Sequence, residues 1–143
     1  MSRTSYFEGK VLKHSLPSFQ GAPPAGATGP KRLALPQGEL ANFYDDQEGV
    51  RYLACIELRP GTVRGNHWHE VKEEQIYVIS GELLLVVQER ESGARQELEL
   101  RPGDLALIRP GIAHALKTAA PGYAVEFSRT KFDPSDIKKL TVI

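Results

Sequence analysis

Short apolar segments separated by glycine, proline and aspartate recur along most of this chain. Their spacing predicts strands at 6–12, 31–35, 40–44, 51–58, 74–79, 83–90, 96–100, 104–108, 114–118 and 123–129. The breaks between them carry turn chemistry: Arg59-Pro60-Gly61, Ser80-Gly81, Glu91-Ser92-Gly93, Arg101-Pro102-Gly103, Arg109-Pro110-Gly111 and Ala120-Pro121-Gly122. Helical periodicity is weak throughout. One helical turn is expected near the C-terminus, where Asp133-Pro134 or Ser135 can start residues 136–140. Many short strands with Gly/Pro turns predict an all-β sandwich or barrel. The run Leu83-Leu84-Leu85-Val86-Val87 is apolar on both faces, so it should be buried on both sides, against a second sheet or another subunit.

Residues 15–30 break the pattern. Pro17, Gly21, Pro23, Pro24, Gly26, Gly29 and Pro30 forbid a regular helix or a central strand there. The chain therefore divides into an N-terminal Pro/Gly-rich arm, 1–30, and one domain, 31–143. A length of 143 residues fits a single core. Lys plus Arg equals Asp plus Glu at 18 each, so no basic stripe speaks for a nucleic-acid partner. No apolar run approaches the length of a membrane span, and residues 1–13 lack the apolar core of a signal peptide. Cys55 is the single cysteine, so no internal disulfide forms; a reducing cytoplasm is the expected compartment and a small core residue its expected role.

Three of the four histidines fall in two segments that look built for one site. In the first, His67 and His69 are two residues apart, so a strand turns both imidazoles to one face. Glu74 opens the next strand and brings a carboxylate alongside; Glu73 is the rival, expected to be a solvated neighbour. In the second, Pro110-Gly111 turns the chain so that His114 returns to the same mouth. Imidazoles and a carboxylate suit Fe, Mn, Ni, Cu, Co or Zn without distinguishing among them. Three histidines and one glutamate leave coordination positions open, as a catalytic metal requires. The fourth, His14, lies outside both segments and is expected at the surface. Trp68, between two ligands, should point away from them and pack.

These segments resemble the two sequence motifs of the cupin superfamily. Gly61, His67, His69, Glu74 and Gly81 match the first without a gap, and Gly103, Gly111 and His114 match the second. Arg109 stands where proline is usual and Thr118 where asparagine is usual; neither change removes a ligand. The resemblance covers about residues 51–129. It implies a double-stranded β-helix, the cupin jelly-roll barrel, here with the N-terminal arm and the C-terminal helical turn. It also implies one divalent transition metal on His67, His69, Glu74 and His114, and a homodimer, for which Leu83–Val87 and the arm are the candidate contacts.

A narrower likeness lies in Arg64-Gly65-Asn66-His67-Trp68-His69, which resembles a segment of cupins in nucleotide-sugar and polysaccharide biosynthesis. Those include 3,5-epimerases and 3,4-ketoisomerases; in metal-free members a histidine at the position of His67 acts as base. The expected function is therefore an isomerase or epimerase of a sugar or sugar nucleotide, with the metal as Lewis acid. His67 and Glu74 are the candidate catalytic residues, and Arg64, Tyr77 and Arg109 the candidate substrate contacts. An iron-dependent dioxygenase and a non-enzymatic small-molecule binding module are the alternatives.

Overall fold

The computed structural model describes residues 2–143. Its strands are β1 (Ser2–Tyr6), β2 (Val11–Ser15), β3 (Ser18–Gln20), β4 (Lys31–Leu35), β5 (Gly38–Asn42), β6 (Tyr52–Leu58), β7 (Val63–Trp68), β8 (Glu74–Val78), β9 (Glu82–Glu89), β10 (Arg95–Leu100), β11 (Asp104–Ile108), β12 (Ile112–Ala120), β13 (Gly122–Ser128) and β14 (Lys138–Lys139). One sheet runs β1-β2-β11-β8-β13-β6 and faces a second, β10-β9-β12-β7-β14; a small sheet, β3-β4-β5, sits outside. Alternation decides the inner surface. Ile76, Val78, Leu85, Val87, Leu100, Ala106 and Ile108, each at most 1% exposed, fill the space between the two large sheets.

The single strand expected over 6–12 is instead a hairpin, β1 and β2, because Phe7, Glu8 and Gly9 all take positive φ and turn the chain. β2 pairs with β11, so residues ahead of position 31 belong to the six-stranded sheet. Within the proline-rich stretch, Ser18–Gln20 pairs in parallel with β4 at the sheet edge, where a neighbouring proline costs no ladder bond.

The helical turn is shorter and earlier than expected: a 3₁₀ turn over Pro134–Asp136, capped by the Asp133 side chain accepting from Ser135 N–H. The chain then runs as an extended strap along β7. Leu140 and Val142 cover Val86, Ala113 and Ala115. Hence the second apolar face of 83–87 is closed by this chain's own C-terminal segment, and Val86 is 1% exposed. Trp68 packs in the same cluster, with the Arg90 guanidinium 3.5 Å above its ring.

Gly65 and Asn66 form a bulge. His114 opposes His67 while Ala115 opposes Gly65, so Asn66 is the extra residue. Gly65 has φ +100° and Asn66 φ +57°. A Cβ on Gly65 would lie 2.9 Å from the His114 carbonyl oxygen. The Asn66 side-chain oxygen accepts from the Val142 and Ile143 N–H groups at 2.8 and 3.1 Å, tying down the strap. The Arg64-Gly65-Asn66 segment thus has a backbone function: it lets β7 approach β12 closely beside His67. Gly65→Ala is expected to cost about 1–3 kcal/mol of stability through backbone strain, read as a lower denaturation midpoint.

Candidate metal centre

The side chains of His67, His69, Glu74 and His114 converge from both walls of the barrel. One ligand atom from each lies within 4.8 Å of the others. His67 is the penultimate residue of β7, His69 follows the strand, Glu74 opens β8 in the opposite sheet, and His114 lies on β12. The imidazole centroids are 4.8 Å (His67–His69), 4.9 Å (His67–His114) and 5.6 Å (His69–His114) apart. His69, Glu74 and His114 are buried and His67 is half-buried.

Hydrogen bonding fixes which nitrogens face inward. His114 Nδ1 lies 3.0 Å from the Ile112 carbonyl and His69 Nδ1 2.9 Å from the Asp136 carbonyl. A carbonyl only accepts, so both Nδ1 atoms carry hydrogen and both neutral rings present a bare Nε2. The His69 Nε2 is buried without a partner. The His114 Nε2 sits 2.6 Å from a Glu74 carboxylate oxygen. Two lone pairs at that separation repel unless a cation lies between or beside them, either a proton or a metal ion. The donor set therefore fits a divalent transition metal.

The charges follow from the same contacts. Burial drives the His67 pKa down, to about 4, helped by His114 and His69 and opposed by Glu74. Burial also lowers His69, against the Asp136 carbonyl bond. For Glu74 and His114, burial opposes ionisation, but their contact overrides it: Glu74 is held below the ordinary carboxylate range and His114 is raised.

Three neighbours were not legible as site residues in the sequence. The Lys72 ammonium is buried 3.1 Å from Glu126, 3.7 Å from Glu74 and 4.3 Å above the Tyr52 ring. Burial and Glu74 push Glu126 up to about 8, against Lys72. Strand parity carried a signal for Glu126, which shares a face of β13 with buried Ala124 and Ser128. Asp136 is the third: its carboxylate accepts from the backbone N–H groups of Glu70 (2.8 Å), Val71 (3.2 Å) and Lys72 (3.0 Å) while its carbonyl orients His69.

Burial raises the Asp136 pKa, but those N–H donors outweigh it and hold the carboxyl below its ordinary value. A depressed folded-state pKa gives stability that is complete at neutral pH and lost as pH falls below about 4. Asp136→Ala is expected to lower stability by about 1 kcal/mol and metal affinity at least about tenfold. The stability difference should vanish in acid, as urea titrations at neutral and low pH will read.

Other sequence expectations change. Tyr77 points to the outside of the sheet, 2% exposed and stacked 4.3 Å from Phe43, because its parity is opposite to that of Glu74. Arg109 donates to the Gly9 carbonyl and to Glu73, joining the β1–β2 hairpin to the barrel rim. Glu73 is not solvated: it is buried and bonded to Arg129 and Arg109. Arg64 is exposed, with Nη2 3.4 Å from the Glu57 carbonyl. Cys55 is exposed on the outer face of β6 rather than in the core. His14 is not a free surface group, since its Nε2 is buried. Among the described residues, no helix is long and apolar enough to cross a membrane.

Two sheets closed into a barrel around a histidine–glutamate cluster define a β-barrel of the jelly-roll kind with a candidate metal site. A cupin-domain family model matches residues 54–127, and the chain belongs to that family. Among solved structures, it is similar to an epimerase (rmlC) of Mycobacterium tuberculosis, with TM-score 0.76 and 14% identity over 99% of this chain and 74% of that one. The dTDP-4-dehydrorhamnose 3,5-epimerase of Sulfolobus tokodaii gives TM-score 0.76 and 17% identity over 96% and 81%. A 3,4-ketoisomerase of Helicobacter canadensis gives TM-score 0.66 and 13% identity over 75% and 84%. No curated protein matches the sequence.

Proposed function

We propose that this chain is a metal-dependent isomerase or epimerase of a keto sugar, with a nucleotide-linked sugar as the preferred substrate. The observation that carries the reading is the convergence of the unpartnered His69 Nε2 with the His114 Nε2–Glu74 pair in one space, both rings fixed by their Nδ1 bonds. His67, His69, Glu74 and His114 would hold the ion. A cation bound there supplies Lewis-acid stabilisation to a carbonyl or enediolate oxygen. Glu74 and His114 fix the geometry from opposite sheets, and the exposed Arg64 offers a guanidinium to a substrate phosphate. The substrate class is supported by the epimerases and ketoisomerases that share the fold.

A second reading, a metal-free epimerase with His67 as base, is favoured by the half-exposure of that ring. A pKa of about 4 makes it a weak base at neutral pH, which favours the first reading. Self-association belongs to the same proposal, but it must use a surface other than 83–87, whose second face the strap covers.

The test is hydrogen exchange beside the carbonyl of a nucleoside-diphosphate 4-keto-6-deoxy sugar, followed by NMR in deuterated buffer. The protein is purified without a histidine tag and compared before and after complete chelation. Exchange that needs the metal is the expected result. Exchange that survives chelation transfers the case to His67 as base. Oxygen uptake by the ferrous protein in place of exchange would move it to a dioxygenase.

A further inference from the structure

Sheet edges are ordinarily protected by charge, by proline or by shortness. Five of the edges here follow that rule: β1 is polar, β3 has three residues, β14 is Lys138-Lys139, β5 carries Glu39, and β10 carries Arg95, Glu97 and Glu99. The sixth does not. β6 has seven residues and pairs only with β13. Its run Tyr52-Leu53-Ala54-Cys55-Ile56 holds no charge and no proline, and Leu53 is 69% exposed. Successive residues of an antiparallel strand turn their N–H and C=O to alternate neighbours. Tyr123 exchanges both bonds with Ser80 on the β8 side, so the odd residues of β13 serve β8 and the even ones serve β6. On β6, Ala54 and Ile56 therefore bond to β13, while Leu53, Cys55 and Glu57 turn their backbone groups to the open edge. Among the described residues, only the Glu57 carbonyl finds a partner there, the Arg64 guanidinium at 3.4 Å.

From these features we infer that β6 pairs with β6 of a second copy of this chain, antiparallel about a two-fold axis through Ala54. The inference rests on the self-association proposed above and not on the metal chemistry. Only odd residues bond outward, so odd must face odd and the axis must fall on a residue. The side chains then select which residue. With Ala54 on the axis, Leu53 lies opposite Cys55 of the second copy, and Arg51 lies opposite its Glu57. Apolar meets apolar and cation meets anion, each contact repeated by the symmetry. An axis through Cys55 instead sets Arg51 against Arg59 and Leu53 against Glu57. An axis through Leu53 or Ile56 sets Cys55 against Arg51 or Glu57. The Glu57 carboxylate meets Arg59 of its own chain and retains lone pairs for a second guanidinium. Ala54 also suits the axis by size, since the two backbones approach there to about 4.5 Å. Each Leu53–Cys55 pair exchanges both of its backbone hydrogen bonds, which satisfies the open edge.

Light scattering of the full chain reads the oligomeric state, and cross-linking reads the register. The parent chain should be a dimer. Leu53→Lys, at a position exposed in the single copy, should weaken that dimer at least about tenfold. On mild oxidation, Leu53→Cys should give a covalent dimer on a non-reducing gel. The introduced thiol faces Cys55 of the second copy in a pair whose Cα atoms are about 5.5 Å apart, within disulfide reach. The parent should not cross-link, because its two Cys55 side chains lie on a diagonal, about 7–8 Å apart. A monomeric parent overturns both this inference and the self-association. A dimer as tight in Leu53→Lys as in the parent overturns the β6 edge alone and leaves self-association to another surface. Failure of Leu53→Cys to cross-link, or equal cross-linking of the parent, overturns the register through Ala54 and the inference with it.

Discussion

Replacing His69 by alanine is expected to lower affinity for divalent transition metals by at least about a hundredfold and to abolish metal-dependent turnover. The ring contributes one of four donors, and it is already held in its ligating tautomer by the Asp136 carbonyl, so no rearrangement is needed to bind. Its loss leaves His114 and Glu74 facing each other from opposite sheets, a pair that one proton neutralises without any metal. Elemental analysis of the untagged protein, followed by competition with a chelator of known affinity, measures the change. The backbone ladder of β7 does not involve the imidazole, so circular dichroism should be unchanged. Full metal content in the alanine variant would remove His69 from the ligand set.

The second large effect is expected at Lys72. Its ammonium compensates Glu126 at 3.1 Å and Glu74 at 3.7 Å, and all three side chains are largely withdrawn from water. Removing one partner from such a group strands buried negative charge, a loss of about 3–5 kcal/mol. Lys72→Met keeps the length and apolar stem of the side chain while deleting the charge. In metal-free protein the unfolding free energy from urea titration should fall by that amount. The loss should grow as pH rises past about 8, where Glu126 ionises in the parent beside Lys72 but has no partner in the variant, and adding Glu126→Gln should remove that pH-dependent part. A single variant as stable as the parent, or a double variant no better than the single above that pH, would show that the lysine does not compensate the carboxylates.

The clustering of His67, His69 and Glu74 was legible because its signal is local. His67 and His69 are two apart in a strand, and Glu74 begins the next. The strand at 104–108 and that at 31–35 were likewise written in alternation and in flanking turn residues. What was not legible depends on pairing between distant segments. Lys72 is an ordinary loop lysine until Glu126, 54 residues later, is placed beside it. Tyr77 and Arg109 looked like pocket residues because they neighbour ligands in sequence, whereas pleating turns Tyr77 outward and the hairpin engages Arg109. Cys55 passed for a core residue because its neighbours are apolar; its own parity places it outside. The apolar second face of 83–87 was read correctly as covered, but its cover is the strap, which only Asn66 and the bulge at Gly65 bring into place.

The pairing order of the strands also constrains when the ion can enter during folding. β2 reaches β11, β6 reaches β13 and β7 reaches β12, so nearly every wall of the barrel waits for a partner far along the chain. An ion offered to the unstructured polypeptide meets His67 and His69 as a local pair; His114 arrives only with closure. Refolding with the cation present from the start should therefore proceed at the same rate as without it, and the ion's contribution should appear afterwards, as slower escape from the native state.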